Sequence, residues 1–257
     1  MKVTILFYPD PLKPKPLSRV YRILQDCDWI DYHNDPNKPH NLHIFWSYTK
    51  SKIVPDDITL LSTNVINRGC YDITKQKVND IFNDISVDPR TFHGICVEKL
   101  EMQGSHRSHR LIHCPNEPKQ GFIYQKFIEN KEGNLYFKYR VCYADGVKLV
   151  IKKYNKSIFE SNYVKSIEVP KEELFTPEQE RDLVQKCQKF GVDFAELDVM
   201  IYEGQPVVID VNNIVGGGHI NAESGTQVSD DMDETFFDFI RSRCPNLSSL
   251  FTKKLDI

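Results

Sequence analysis

Residues 193–213 read DFAELDVMIYEGQPVVIDVNN. The stretch predicts two strands around a turn at Glu203-Gly204-Gln205-Pro206. Side chains alternate along a strand, so Ala195, Leu197, Val199 and Ile201 share one face, and Val207, Ile209 and Val211 join it from the partner. The opposite face carries Glu196, Asp198 and Met200, with Val208, Asp210 and Asn212 across from them. A turn centred on Gly204 sets Asp198 against Asp210 and Glu196 against Asn212. Like charges directly opposite on a ladder repel, so a cation is expected between them. Removing the Asp210 charge should then relieve repulsion. Asp198, Asp210 and Asn212 are therefore candidate metal ligands: Mg²⁺ takes a few carboxylate or amide oxygens and leaves its other positions to water and phosphate. The competing reading is a solvated acidic face on an edge hairpin.

The rest of the chain permits this reading. At 257 residues, with 40% hydrophobic and 27% charged residues, it is long enough for a substantial core and has ordinary globular composition. A net charge of -3 argues against nucleic acid as the main partner. Seven cysteines without CxxC spacing read as reduced thiols, and no run reaches the roughly 18 apolar residues of a membrane span, so a cytoplasmic protein off the membrane is expected.

Upstream of the hairpin, Val3 to Tyr8 predicts a buried strand, Leu17, Val20, Tyr21 and Leu24 an amphipathic helix, and Leu42 to Tyr48 a second strand. Together they suggest a small N-terminal α/β domain over 1–66. A helix from Asp72, carrying Val78, Ile81, Phe82 and Ile85, ends before Pro89 and leads to a strand at Ile95 to Leu100. Three further strands follow at Gly121 to Ile128, Leu135 to Tyr143 and Val147 to Tyr154, the last two joined by Asp145-Gly146. Thr176-Pro177-Glu178-Gln179 opens a helix that Gly191 closes.

With its Asp on one strand and Asp-x-Asn on the next, the chain resembles the ATP-grasp superfamily, which includes D-alanine:D-alanine ligase, glutathione synthetase and protein-tail glutamate ligases. The similarity runs from about Asn67 to Val215, and Asp210 stands where a Glu is more usual. The resemblance implies an α/β (α+β) ATP-grasp fold: the 1–66 domain, then a 67–257 ATP-grasp domain with a shortened lid side (67–121) and a C-terminal sheet (122–257). It implies ATP and Mg²⁺ as cofactors, with Mn²⁺ as an alternative. Lys75 and Lys99 match the phosphate lysines. Gln125, Lys126, Phe127 and Ile128 match the strand that reads adenine through its backbone. Arg140 and Lys153 match the basic residues that meet the transferred phosphate or a carboxylate, with Lys152 on the nucleotide. In place of a glycine-rich lid the chain has the basic run Gln103 to Arg110, whose His106 and His109 lack a second pair for zinc. Gly216-Gly217-Gly218 and His219 follow the metal strand, where the family places its acceptor.

The activity implied is ATP-dependent ligation of a carboxylate to an amine through an acylphosphate. The partners would be small-molecule carboxylate and amine substrates, or an anionic acceptor; a homodimer is compatible with this. Two alternatives stay open: a small-molecule kinase with the same nucleotide machinery, and a nucleotide-binding regulator without catalysis.

Overall fold

A computed structural model describes residues 2–12, 20–21, 24, 27–47, 52–58, 64–82, 85–101, 109–159, 163–213 and 225–244. The expected run Gln103 to Ser108 and the glycines Gly216 to Gly218 with His219 lie outside them, as does much of the expected helix around Leu17.

Strands β1 (Val3–Pro9), β2 (Ile30–His33), β3 (Leu42–Trp46) and β4 (Val65–Ile66) form a parallel sheet in the order β2-β1-β3-β4. All five side chains of β3 are buried, as befits a parallel strand covered on both faces. Helix α1 (Lys75–Phe82) leads into β5 (Gly94–Leu100), β6 (Arg110–Cys114) and β7 (Phe122–Lys126), an antiparallel sheet ordered β6-β5-β7. The remaining strands are β8 (Lys131–Glu132), β9 (Leu135–Ala144), β10 (Val147–Asn155), β11 (Lys165–Val169), β12 (Phe194–Tyr202) and β13 (Gln205–Asn212). They make a six-stranded sheet in the order β11-β10-β9-β12-β13, with β8 beside β9. Helices α2 (Lys171–Leu174) and α3 (Pro177–Phe190) precede the β12–β13 hairpin, and α4 (Gly225–Arg243) follows it. No helix among the described residues is long and apolar enough to cross a membrane.

The large sheet is buried on both faces. On one, Val141, Val150, Leu197, Val199 and Val211 pack with Val78 and Phe82 of α1 and with Leu183, Cys187 and Phe190 of α3. On the other, Cys142, Ala144, Ile151 and Phe194 share a core with the N-terminal sheet and with Phe236 and Ile240 of α4. Helix α3 has the expected signals: Thr176 Oγ1 accepts from the Gln179 N–H, the Gln179 side chain accepts from the Thr176 N–H, and Gly191 turns left-handed at φ 85°. Strand β6 was not expected; it is short, and Arg110 and Leu111 are exposed. Strand β7, beginning at the expected 121/122 division, pairs with β5 and not with the large sheet.

Two features fix where the hairpin starts. Asn67, buried and at φ 59°, accepts at Oδ1 from the N–H groups of Asp193 and Phe194 and donates to the Phe194 carbonyl at 2.8 Å. Beside it, Gly69 packs directly on Gly191: a Cβ on Gly69 would lie 2.6 Å from the Gly191 Cα. Gly69→Ala should therefore destabilise the fold by about 1–3 kcal/mol in denaturant unfolding, because backbone must move to admit a methyl group.

Candidate active site

The hairpin turn is tighter than a loop centred on Gly204. Tyr202 pairs with Gln205, and Glu203 and Gly204 both have positive φ (51° and 77°), so the turn has two residues. Val199 then faces Val208, and a bulge between Asp198 and Val199 restores the register, so that Asp198 faces Asp210 and Glu196 faces Asn212. The expected pairs form, but the expected apolar face needs correction. Val208 joins the core, while Val207 and Ile209 pack on the other side with Ile85 and Ile128. The bulge thereby sets Ile209 and Asp210 side by side on a cavity wall.

That cavity, about 320 Å³, lies between the small antiparallel sheet and the large sheet. Lys75, Lys99, Gln125, Lys126, Phe127, Ile128, Arg140, Asp198, Asp210 and Asn212 all line it. One end is an apolar slot: Ile85, Val97, Phe127 and Ile128 stand opposite Met200 and Ile209 of the hairpin. Slots of this kind suit a planar ring. The Lys126 N–H is taken by the Ile85 carbonyl at 2.8 Å, and its ammonium reaches the Tyr202 hydroxyl at 3.0 Å. Gln125 is buried; its amide donates to Asn79 Oδ1 at 2.5 Å, and its own Oε1 accepts no hydrogen bond among the described residues.

The other end is charged. Asp198 does not simply confront Asp210. Lys138 of β9 donates to Asp198 Oδ2 at 2.6 Å, and Arg140 donates from Nε to Oδ1 at 3.2 Å and places Nη1 3.0 Å from Glu196 Oε2. Burial pushes the Asp198 carboxyl up, but Lys138 and Arg140 outweigh it and hold it well below the usual carboxylate range. Burial likewise opposes the charges of Lys138 and Arg140, and the facing carboxylates prevail, raising both pKa values. The cation expected between the facing strands is thus supplied in part by β9. Lys138 was missed as a site residue, although its spacing of two from Arg140 puts both on one face.

Lys99 is buried, and burial, reinforced by Lys75, lowers its pKa to about 8 against the pull of Asp210 and Asp198. An unfolded lysine keeps its proton up to its ordinary 10.5, so between about 8 and 10.5 the unfolded chain binds more protons. Lys99 therefore makes stability rise with pH across that window. Lys99→Met should remove this rise and stabilise the protein at neutral pH. Unfolding at pH values of about 7.5 and 9.5 checks both signs.

The two remaining basic candidates part company. Lys153, opposite Lys138 on β10, is buried behind the cavity wall with its ammonium 4.5 Å from the Tyr163 ring centre; burial, then Arg140, lowers its pKa to about 7. Lys152 is corrected as a nucleotide contact. It points to the opposite face, pairs with Glu132, and lies 4.0 Å from the Phe137 ring centre. Strand alternation cannot bring both lysines to one site. His109 lines the cavity, and Arg110 is drawn to Glu98 at 2.5 Å on the small sheet.

Among the described residues no three His, Cys, Asp or Glu side chains gather as a metal site. Two carboxylates and one amide do converge on the cavity, all hard oxygen donors beside two buried lysines. That set fits a hard divalent ion whose other positions go to phosphate and water.

No protein-family model matches the chain, and no curated protein does. Solved structures do. The ATP-grasp ligase PsnB, complexed with minimal precursor, Mg and ADP, superposes with a TM-score of 0.58 at 13% identity, covering 94% of this chain and 97% of that one. D-alanine--D-alanine ligase from Bacillus anthracis superposes at 0.55 and 13% identity, covering 96% and 98%. The chain has the ATP-grasp fold.

Proposed function

We propose that the protein binds Mg²⁺-ATP in this cavity and uses it to activate a carboxylate for ligation to an amine. The observation that carries the proposal is the convergence of Lys75, Lys99, Arg140, Asp198, Asp210 and Asn212 on one cavity with an apolar slot at its other end. The fold shared with ligases, one of them complexed with Mg and ADP, supports it.

In this reading the adenine occupies the slot, read by the Lys126 carbonyl and the Ile128 backbone. Lys75 and Lys99 donate to the phosphates. Asp210 and Asn212, with Asp198 beside them, would hold Mg²⁺, which when bound neutralises phosphate charge. Arg140, braced by Glu196 and Asp198, keeps further N–H donors for the γ-phosphoryl group or the carboxylate. A carboxylate oxygen bonds to the γ-phosphorus as the bond to ADP breaks; an amine then attacks the acyl carbon and phosphate leaves. Lys153 sits opposite Lys138 outside the cavity lining, where Glu196 and Asp198 attract its charge and Arg140 and Lys138 oppose it. Residues 1–66 form an acceptor-side domain preceding the ATP-grasp domain, in a cytoplasmic setting that supplies ATP and Mg²⁺.

ATP consumption with candidate acids in hydroxylamine tests this. Hydroxamate is expected from the true acid. A phosphorylated alcohol without hydroxamate would make the protein a kinase, and no ATP consumption with any acid or alcohol would favour a regulator.

A further inference from the structure

We propose that Lys138 serves as a built-in cation at Asp198, so that the site takes nucleotide with one divalent ion and not two. The inference rests on the Mg²⁺-ATP reading above.

Both oxygens of Asp198 already carry a cation from β9, Lys138 on Oδ2 at 2.6 Å and Arg140 on Oδ1 at 3.2 Å. Neither partner is a passing surface contact. The Lys138 side chain is 23% exposed and that of Arg140 12%, against 5% for Asp198, so water screens these pairs weakly. Lys138 is also held beside the Tyr163 ring, 5.8 Å from its centre.

Asp198 stands directly across the ladder from Asp210. An ion bridging those two carboxylates would press against the Lys138 ammonium, and their mutual repulsion is strong in a site this dry. Asp210 and Asn212, two residues apart on β13, lie beyond that ammonium and keep room for one ion. Lys138 and Arg140 match Asp198 and Glu196, leaving Asp210 with Lys75 and Lys99. Around the roughly four negative charges of a nucleoside triphosphate and that of Asp210, these two lysines and one divalent ion leave about one negative charge and a second ion about one positive, so the Lys138 contact and not the charge count excludes the second ion.

Counting Mn²⁺ by electron paramagnetic resonance tests the proposal, using protein saturated with a non-hydrolysable ATP analogue. The wild type should bind about one Mn²⁺ per chain, Lys138→Ala about two, and Lys138→Arg about one again. The wild-type count requires no variant to fold, and circular dichroism checks the variants. Two ions on the wild type, or one on folded Lys138→Ala, would overturn the proposal while leaving the nucleotide reading intact. Failure of the wild type to bind the analogue with Mn²⁺ would overturn both.

Discussion

Arg140→Leu is expected to destabilise the protein by about 3–5 kcal/mol, the largest loss from any single side chain of the site. Arg140 is the partner of Glu196, whose side chain is 3% exposed, and shares Asp198 with Lys138. Leucine fills much of the space and rehydrates neither carboxylate, so one buried charge is left without its counter-ion and must take up a proton or draw in water. Lys153, the nearest remaining base, is held low in pKa by burial and by Arg140 itself; losing Arg140 should raise it and recover part of the loss. Arg140→Lys should therefore be milder, since an ammonium keeps the charge but cannot span Glu196 and Asp198 as the planar guanidinium does. Denaturant midpoints at constant slope measure the difference. An Arg140→Leu variant as stable as the parent would mean that the pairs on β12 contribute nothing to folding.

Asp210→Asn should have the largest functional effect. It retains size and shape but removes a charge from the proposed metal site, so metal-dependent nucleotide binding should weaken by about 100-fold or more. Two facing carboxylates read in isolation imply that the metal-free variant gains stability. The surroundings reverse that sign. Lys138 and Arg140 already offset Asp198, and Asp210 supports the charge of buried Lys99. Without Asp210, the Lys99 pKa falls further below about 8, and the lysine escapes much of the penalty by shedding its proton. The metal-free variant should thus lose only about 1–2 kcal/mol, less than a stranded charge that cannot neutralise itself. Unfolding without metal, beside nucleotide titration with it, separates the two effects. Full metal-dependent binding by Asp210→Asn would exclude Asp210 as a ligand.

The site was legible where a local pattern dictates geometry. Alternation along two strands and a turn between them suffice to bring Asp198 opposite Asp210, and the structure keeps that pair. The route to it was not legible. A two-residue turn followed by a bulge gives the same register at the carboxylates as a wider turn would, and only the residues between them, Val207, Val208 and Ile209, change sides. Lys152 was misplaced because two adjacent lysines look equivalent in a sequence, whereas a strand sends them to opposite faces. Lys138 went unread for a related reason. Its significance lies in the 2.6 Å contact with a strand 60 residues away, which no local spacing encodes. Strand β6 likewise has too little alternation of its own and is defined by pairing with β5.

Calorimetric titration of ATP into the protein, with Mg²⁺ and again in excess chelator, tests the central claim most directly. Phosphates brought beside Asp210 without a divalent ion meet repulsion that Lys75 and Lys99 only partly offset. Binding is predicted to be about 100-fold or more tighter with Mg²⁺. Equal affinity in chelator, or no binding under either condition, would contradict the account.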